Sequence, residues 1–315
     1  MGEATTAIQV LTGREVPLGG VRAITVRRTL PHRDRAFIGA WCFVDHYGPH
    51  DVSADGRGGM DLPPHPHTGL QTVSWLFSGA IEHRDSGGVV AAVTPGEVNL
   101  MTAGHGICHS EVTTAETRTL HGVQLWVVLP QDAHDTERGF DHHVTTPVPL
   151  PDGAGTVRVF VGSLPGLGSS PITLHSRLVG AQLDLGPDAR LRLPIERDFE
   201  HAVLLDSGAV TVSDTEIHPG DLACLDPGPG HLDLTAGPDG ARILLLGGEP
   251  FDEEVVMWWN FIGRSHDEVV AFREAWQRED ARFGRVEGYV GEVARLPAPP
   301  IPPVRLRPRS RHGKR

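Results

Sequence analysis

The sequence predicts an all-β protein, two similar β-barrels in tandem followed by one short helix near the C-terminus. Three observations carry this reading. Short apolar runs alternate with turn residues along most of the chain, and Gly (38) and Pro (26) are both abundant, which favours tight turns over long helices. The turn Thr94-Pro95-Gly96-Glu97-Val98, then Gly104 and Gly106, returns as His218-Pro219-Gly220-Asp221-Leu222, then Gly228 and Gly230, with the same offsets. A helix signature occurs only once, late in the chain.

Taken in order, residues 1–145 form the first expected barrel. Val21–Val26, Leu70–Phe77, Val89–Val93 and Gly122–Leu129 read as its strands. The Pro-rich stretch Thr146–Gly153 then breaks the pattern and marks a connection. Residues 146–290 form the second barrel, with strands at Val157–Val161, Ala202–Leu205, Ala209–Val212 and Arg242–Leu246. Ser265-His266-Asp267-Glu268 has the capping-box form, and Val269, Phe272 and Trp276 follow as an apolar stripe, so a helix starts there; Gly284 is its expected stop. Residues 291–315 are expected to be a disordered Pro/Arg-rich tail, with Pro297–Pro303 as an extended arm.

Charge and cysteine content exclude several classes. The net charge is −12, yet residues 304–315 carry six of the 28 basic residues and no acid, leaving 22 basic against 40 acidic residues in the remainder. An acidic body lacks the basic face that releases phosphate counterions, so nucleic acid is expected to bind only weakly, through the tail. No run approaches the ~18 apolar residues of a membrane span. The N-terminus has no basic region followed by an apolar one, so no secretory signal is expected. Cys42, Cys108 and Cys224 are odd in number, far apart and form no CxxC, which points to reduced, packed thiols in a cytoplasmic protein.

Two short motifs carry chemistry. In His65-Pro66-His67, residues i and i+2 of a strand project from one face, so both imidazoles can enter one interior. His109-Ser110-Glu111 repeats the spacing with a carboxylate in the second slot. If the two segments lie side by side, four N and O ligands converge. Three neutral imidazoles and one carboxylate suit Fe, Mn, Co, Ni, Cu or Zn, and suit Mg or Ca poorly. An octahedral ion held by four protein groups keeps two positions open for substrate, dioxygen or water.

These residues also carry a resemblance. His65-Pro66-His67-Thr68-Gly69-Leu70-Gln71-Thr72-Val73 resembles the first cupin motif of the pirin family. Thr94–Glu97 and Met101–Glu111 resemble its second motif, and His121–Val127 the strand that follows. Gly247–Pro250, Asn260-Phe261 and Arg282–Gly284 are similar to the family's C-terminal stretch. The likeness spans roughly residues 20–285. It implies a bicupin, two jelly-roll type cupin barrels face to face, with one divalent transition metal, Fe(II) first, on His65, His67, His109 and Glu111 of the N-terminal barrel.

Two positions depart from the pattern. Gln71 stands where many cupins and many pirins have Glu, which is tolerable if Glu111 binds instead. His105 stands where relatives often have Arg or a small residue; it lines the pocket mouth or sits in a solvated turn. Aligning Gly208 with Gly79 places Pro194 and Glu196 where the first barrel has His65 and His67, so the second barrel is expected to lack metal ligands, with His201 and His231 forming no i, i+2 pair. His32, His46, His50, His83, His121, His134, His142 and His143 are expected at the surface or behind the ligands, where His121 and Gln124 are candidates to orient one.

The resemblance implies a dioxygenase of the quercetinase type. A flavonol-like substrate would bind at the open metal position, Glu111 would take its hydroxyl proton, and dioxygen would open the ring with loss of carbon monoxide. A second reading, from eukaryotic pirins, is a non-enzymatic, iron-binding, redox-responsive regulator that acts through a protein partner. A zinc isomerase or hydrolase is also compatible with three His and one Glu, although the sequence has no clustered Arg/Lys pocket for a sugar phosphate.

Overall fold

The structure, a computed structural model, describes residues 7–18, 24–53 and 59–311. Two β-barrels stand in tandem. In the first, a seven-stranded antiparallel sheet meets a four-stranded one. The larger sheet runs in the spatial order Gly139–Val144, Glu97–Thr102, Leu70–Ser78, Thr119–Val128, Trp41–Asp51, Thr25–Leu30, Arg14–Pro17. The smaller runs Asp61–His67, Ile107–Thr113, Ile81–Asp85, Val90–Val93. The second barrel is one ten-stranded sheet. Its long strands, Glu200–Val212 and His231–Gly248, pair along both of their halves, and bulges at Leu205/Ser207 and Gly208/Val210 bend them.

Strand Leu70–Ser78 shows why the central strands read as continuous apolar runs. Side chains alternate between its faces. Ser74 looks into the first barrel, where it meets Glu111. Trp75 looks the other way, stacks on Phe160 of the second barrel at 4.8 Å between ring centroids, and donates its indole N–H to Gln182. Trp41 likewise donates to the carbonyls of Val179 and Gly247. With both faces covered, both must be compatible with burial. The inter-barrel core includes Val73, Leu125, Phe160, Leu204 and Leu246.

The second barrel is filled by Leu183, Leu193, Val203, Leu205, Ile243 and Leu245. The register expected there is corrected. Pro194 is exposed and Glu196 half-exposed, while Leu191, Leu193 and Ile195 turn inward. Buried Cys42, Cys108 and Cys224 are free thiols, and burial raises all three, Cys108 to about 11 and Cys224 to about 12.

Several boundaries differ from those expected. Of the expected strand Val21–Val26, residues 21–23 lie outside the described residues, and the strand observed is Thr25–Leu30. Gln9–Leu11 pairs with Leu222–Leu225, so the start of the chain completes the second barrel rather than the first. Conversely, the chain after Gly248 returns across the first barrel: the hairpin Val256–Trp258 and Phe261–Gly263 lies against it, and Phe261 bridges to Thr68. The helix spans His266–Gln277, with the Ser265 hydroxyl accepting from Glu268 N–H. It ends at Arg278 instead of near Gly284, because Glu279 adopts φ +57°; Gly284, at φ +66°, serves a later turn. Val269, Phe272 and Trp276 pack with Phe261 and Phe283, as the stripe implied.

The expected disordered tail is also corrected for residues 291–311. Leu296 N–H donates to the Pro64 carbonyl and Ala298 is buried; Arg309 exchanges two backbone hydrogen bonds with Val255. The arginines find acids of the body, Arg305 on Asp267 and Arg311 on buried Glu200. An extended segment satisfies its backbone wherever a neighbouring edge offers partners, and opposite charge pins it. His312, Lys314 and Arg315 lie outside the described residues. Among the described residues no helix is long and apolar enough to cross a membrane.

Candidate metal centre

The strand Ile107–Thr113 organises the site. It is flanked by Asp61–His67 on one side and Ile81–Asp85 on the other. On the first side His109 lies directly opposite His65, and a register shift between His109 and Glu111 brings Glu111 opposite Leu62. On the second side His109 faces Asp85 and Glu111 faces His83. Period-two alternation therefore collects one interior face from three strands.

His65, His67 and His109 converge there. Their candidate ligand atoms lie within 4.8 Å of one another, and all three residues are buried. Hydrogen bonds on the outer nitrogens decide what the inner ones offer. His65 Nδ1 donates to the Pro63 carbonyl at 2.9 Å, and His67 Nδ1 to the Asn260 carbonyl at 3.2 Å. His109 Nδ1 meets His83 Nδ1 at 3.4 Å, and His83 Nε2 meets Asp85 at 3.2 Å. A carboxylate only accepts, so His83 donates from Nε2 and accepts at Nδ1, and His109 donates from Nδ1. All three Nε2 atoms then carry lone pairs into the cavity.

Electrostatics agrees. Burial holds His65 down to about 4 and pulls His67 and His109 well below the ordinary histidine range, so all three are neutral near pH 7. The Nε2 atoms of His67 and His109 face each other at 3.1 Å. Two such acceptors repel unless a cation lies between them. A separation near 3 Å is also the edge expected of two nitrogens bound about 2.1 Å from one ion at right angles.

Glu111 occupies a neighbouring position. It is buried and grouped with His109 and His83, not within the tight group of His65 and His67. Ser74 Oγ lies 3.3 Å from Glu111 Oε1 and 3.0 Å from Gln124 Oε1, its single proton shared between the two oxygens. Burial raises the Glu111 carboxyl above its usual range. All four expected ligands, with Gln124 and Trp126, line one pocket of about 430 Å³.

The remaining candidates divide. Gln124 does stand behind Glu111, through Ser74. His121 does not; with His46 it packs on Asp206 between the barrels, at 2.6 and 2.7 Å. Gln71 points away from the histidines, donating to Thr102 Oγ1 and the Thr173 carbonyl, so Gln in place of Glu costs this site no ligand. His105 sits in a turn, half-buried, against the Thr136 carbonyl. His83, one of the histidines expected at the surface or behind the ligands, stands behind His109; Asp85, which holds it, is not singled out by the sequence reading. Their own H-x-D spacing was the available signal, since it repeats the period of the other two motifs.

The model of the Pirin family matches residues 23–127, and that of the Pirin C-terminal cupin domain matches residues 180–284. A Pseudomonas aeruginosa protein provisionally named quercetin 2,3-dioxygenase is 43% identical over 94% of this chain and 91% of its own length. Human pirin is 31% identical over 70% of this chain and 78% of its own. A crystal structure titled quercetin 2,3-dioxygenase, from Acinetobacter baumannii, superposes with a TM-score of 0.88 at 37% identity, covering 96% of this chain and 97% of the other.

Proposed function

Since the chain belongs to the pirin family, we propose that it is a metal-dependent dioxygenase of the quercetinase type, with His65, His67, His109 and Glu111 holding one divalent transition metal. The observation that carries this is the trio of buried, neutral imidazoles, each with Nδ1–H engaged outward and an Nε2 lone pair turned inward. Such a donor set suits Fe(II), Mn, Co, Ni, Cu or Zn; Fe(II) is our first assignment. An ion bound there supplies Lewis acidity and an open position for a flavonol hydroxyl.

The protein's own groups do the rest. Glu111, raised by burial and backed by the Ser74 hydroxyl, is placed to take the 3-hydroxyl proton of the substrate. The stacked pair Trp126 and Phe43, 4.1 Å apart at 12°, lines the pocket and gives it an apolar aromatic side. Met257, Trp258 and Trp259 line the same pocket and help keep water from the reacting ring.

The test pairs metal content with turnover on one preparation. Protein reconstituted with Fe(II), Mn, Co, Ni or Cu should consume quercetin and release carbon monoxide, and His65→Ala should lose both bound metal and turnover. Stoichiometric metal with no quercetin loss under any ion would overturn the dioxygenase reading. Absence of bound metal in the wild type would overturn the site itself.

A further inference from the structure

The pocket that holds the histidines is also lined by Arg14, Arg28 and Arg309, in a chain whose net charge is −12. The three arginines are not equivalent. Arg28 is spent: Nε and Nη2 donate to both oxygens of fully buried Asp45, at 2.6 and 2.7 Å. Arg14 sits opposite Arg28 in the paired strands Arg14–Pro17 and Thr25–Leu30. Arg309 belongs to the C-terminal segment, and its two backbone hydrogen bonds with Val255 fix where its side chain leaves the chain. Among the described residues, neither Arg14 nor Arg309 has a carboxylate partner. Both side chains line the same pocket, and partial desolvation, then the charge of Arg14, pulls the Arg309 guanidinium below its ordinary value.

An aromatic ladder joins the metal ligands to Arg28, the strand partner of Arg14. His67 meets Trp126 edge to face at 5.1 Å; Trp126 stacks on Phe43, and the Arg28 guanidinium lies 4.3 Å over the Phe43 ring. The histidines and the arginines thus line one pocket, with the ladder between His67 and Arg28 along its side. Asp45 is held by Arg28 and also feels the charge of Arg14, so three guanidinium groups of this lining face one carboxylate, and the surplus positive charge calls for a compact anion.

We infer that Arg14 and Arg309 form an anion subsite, and that the substrate is a planar aromatic bearing a carboxylate, sulfonate or phosphate at the end remote from its metal-binding hydroxyl. The inference rests on the pocket being a substrate site, and it deepens the proposed reaction by naming the substrate class.

The test reads binding without turnover. Quenching of tryptophan fluorescence is followed anaerobically on the holoprotein, with quercetin and with a sulfonated quercetin as probes. Two partly exposed charge pairs are together worth about tenfold, so the sulfonate should bind about tenfold more tightly at low ionic strength. That ratio should fall toward one in 0.5 M salt, on the scale of ~4 Å screening, and in the double variant Arg14→Gln with Arg309→Gln. A ratio cancels general damage to the fold, and Arg309→Lys should keep part of the preference. Equal affinity for the two probes in the wild type, or a preference that survives the double variant, overturns the subsite. Selective binding without turnover in air would sink only the dioxygenase reading; turnover with no selectivity would sink only the subsite.

Discussion

Replacing Asp85 by asparagine, a near-isosteric change outside the proposed ligand set, should weaken metal binding by about 10- to 100-fold. Asp85 is fixed from two sides: Oδ1 accepts from Gly87 and Val89 N–H, and Oδ2 accepts from His83. In Asp85→Asn the carbonyl keeps the two backbone bonds and the amide turns its protons toward His83 Nε2. His83 must then accept at Nε2 and carry its proton on Nδ1, where it opposes the Nδ1–H of His109 across 3.4 Å. The conflict is relieved if His109 moves its proton to Nε2, which removes a lone pair from the metal cavity. Restoring the binding tautomer costs one buried hydrogen bond, about 1–3 kcal/mol, and a hundredfold in affinity is about 2.7 kcal/mol. The assay is competition against a chromophoric chelator with Co(II) or Zn(II), at a pH where the ligand histidines are neutral. Thermal unfolding of the apoprotein checks that the barrel survives. Affinity within twofold of wild type, with the fold intact, would refute the tautomer chain from Asp85 through His83 to His109.

Other consequences are independent of the metal. Arg35→Ala should cost about 3–5 kcal/mol, because Arg35 Nη1 pairs at 3.0 Å with Glu200, which is fully buried between the barrels; a loss below about 1 kcal/mol on denaturant unfolding would show Arg311 and Gly39 to be sufficient partners. Trp75→Ala removes the stack on Phe160 and the bond to Gln182, and should destabilise by about 3–5 kcal/mol; near-neutrality would mean that the barrel interface is soft. Burial holds His201 at about 4 in the folded state, against about 6.5 unfolded. The unfolded chain therefore takes up the proton first, and the stability His201 contributes is present above pH 6.5 and is lost as pH falls toward 4. About 2 kcal/mol should go between pH 7 and 5, and His201→Gln should show a correspondingly smaller loss in guanidinium unfolding. Equal losses in the two proteins would contradict this.

Pattern reading found what periodicity and spacing encode. The i, i+2 rule put His65 with His67 and His109 with Glu111 on common faces, and the capping box placed the helix start at Ser265. It failed where meaning depends on a neighbour in space. His83 and Asp85 carry the same spacing, yet nothing local says that they lie across from Glu111 and His109. Pro194 and Glu196 match by spacing a metal-binding register that the second barrel reverses, because the strand shows its Leu191, Leu193, Ile195 face to the interior.

Chain ends were the other blind spot. A Pro- and Arg-rich segment has the composition of a solvated tail, and only the acidic residues and free backbone groups it meets make it otherwise. Gln9–Leu11 lies within the stretch expected to form the first barrel, yet it completes the second, since an edge takes whichever strand reaches it.

The sequence by itself determined the all-β class, the duplication and which side chains of each motif share a face, because side-chain alternation along a strand is a local property of the backbone; that the two motifs meet is a matter of strand pairing. The tertiary structure alone decided which barrel each end joins, which nitrogen of each histidine faces the cavity, and that Arg309 reaches the pocket. Those depend on strand register and on long-range pairing between residues far apart in the chain, where hydrogen bonds to distant carbonyls and carboxylates select one arrangement from several that local chemistry permits.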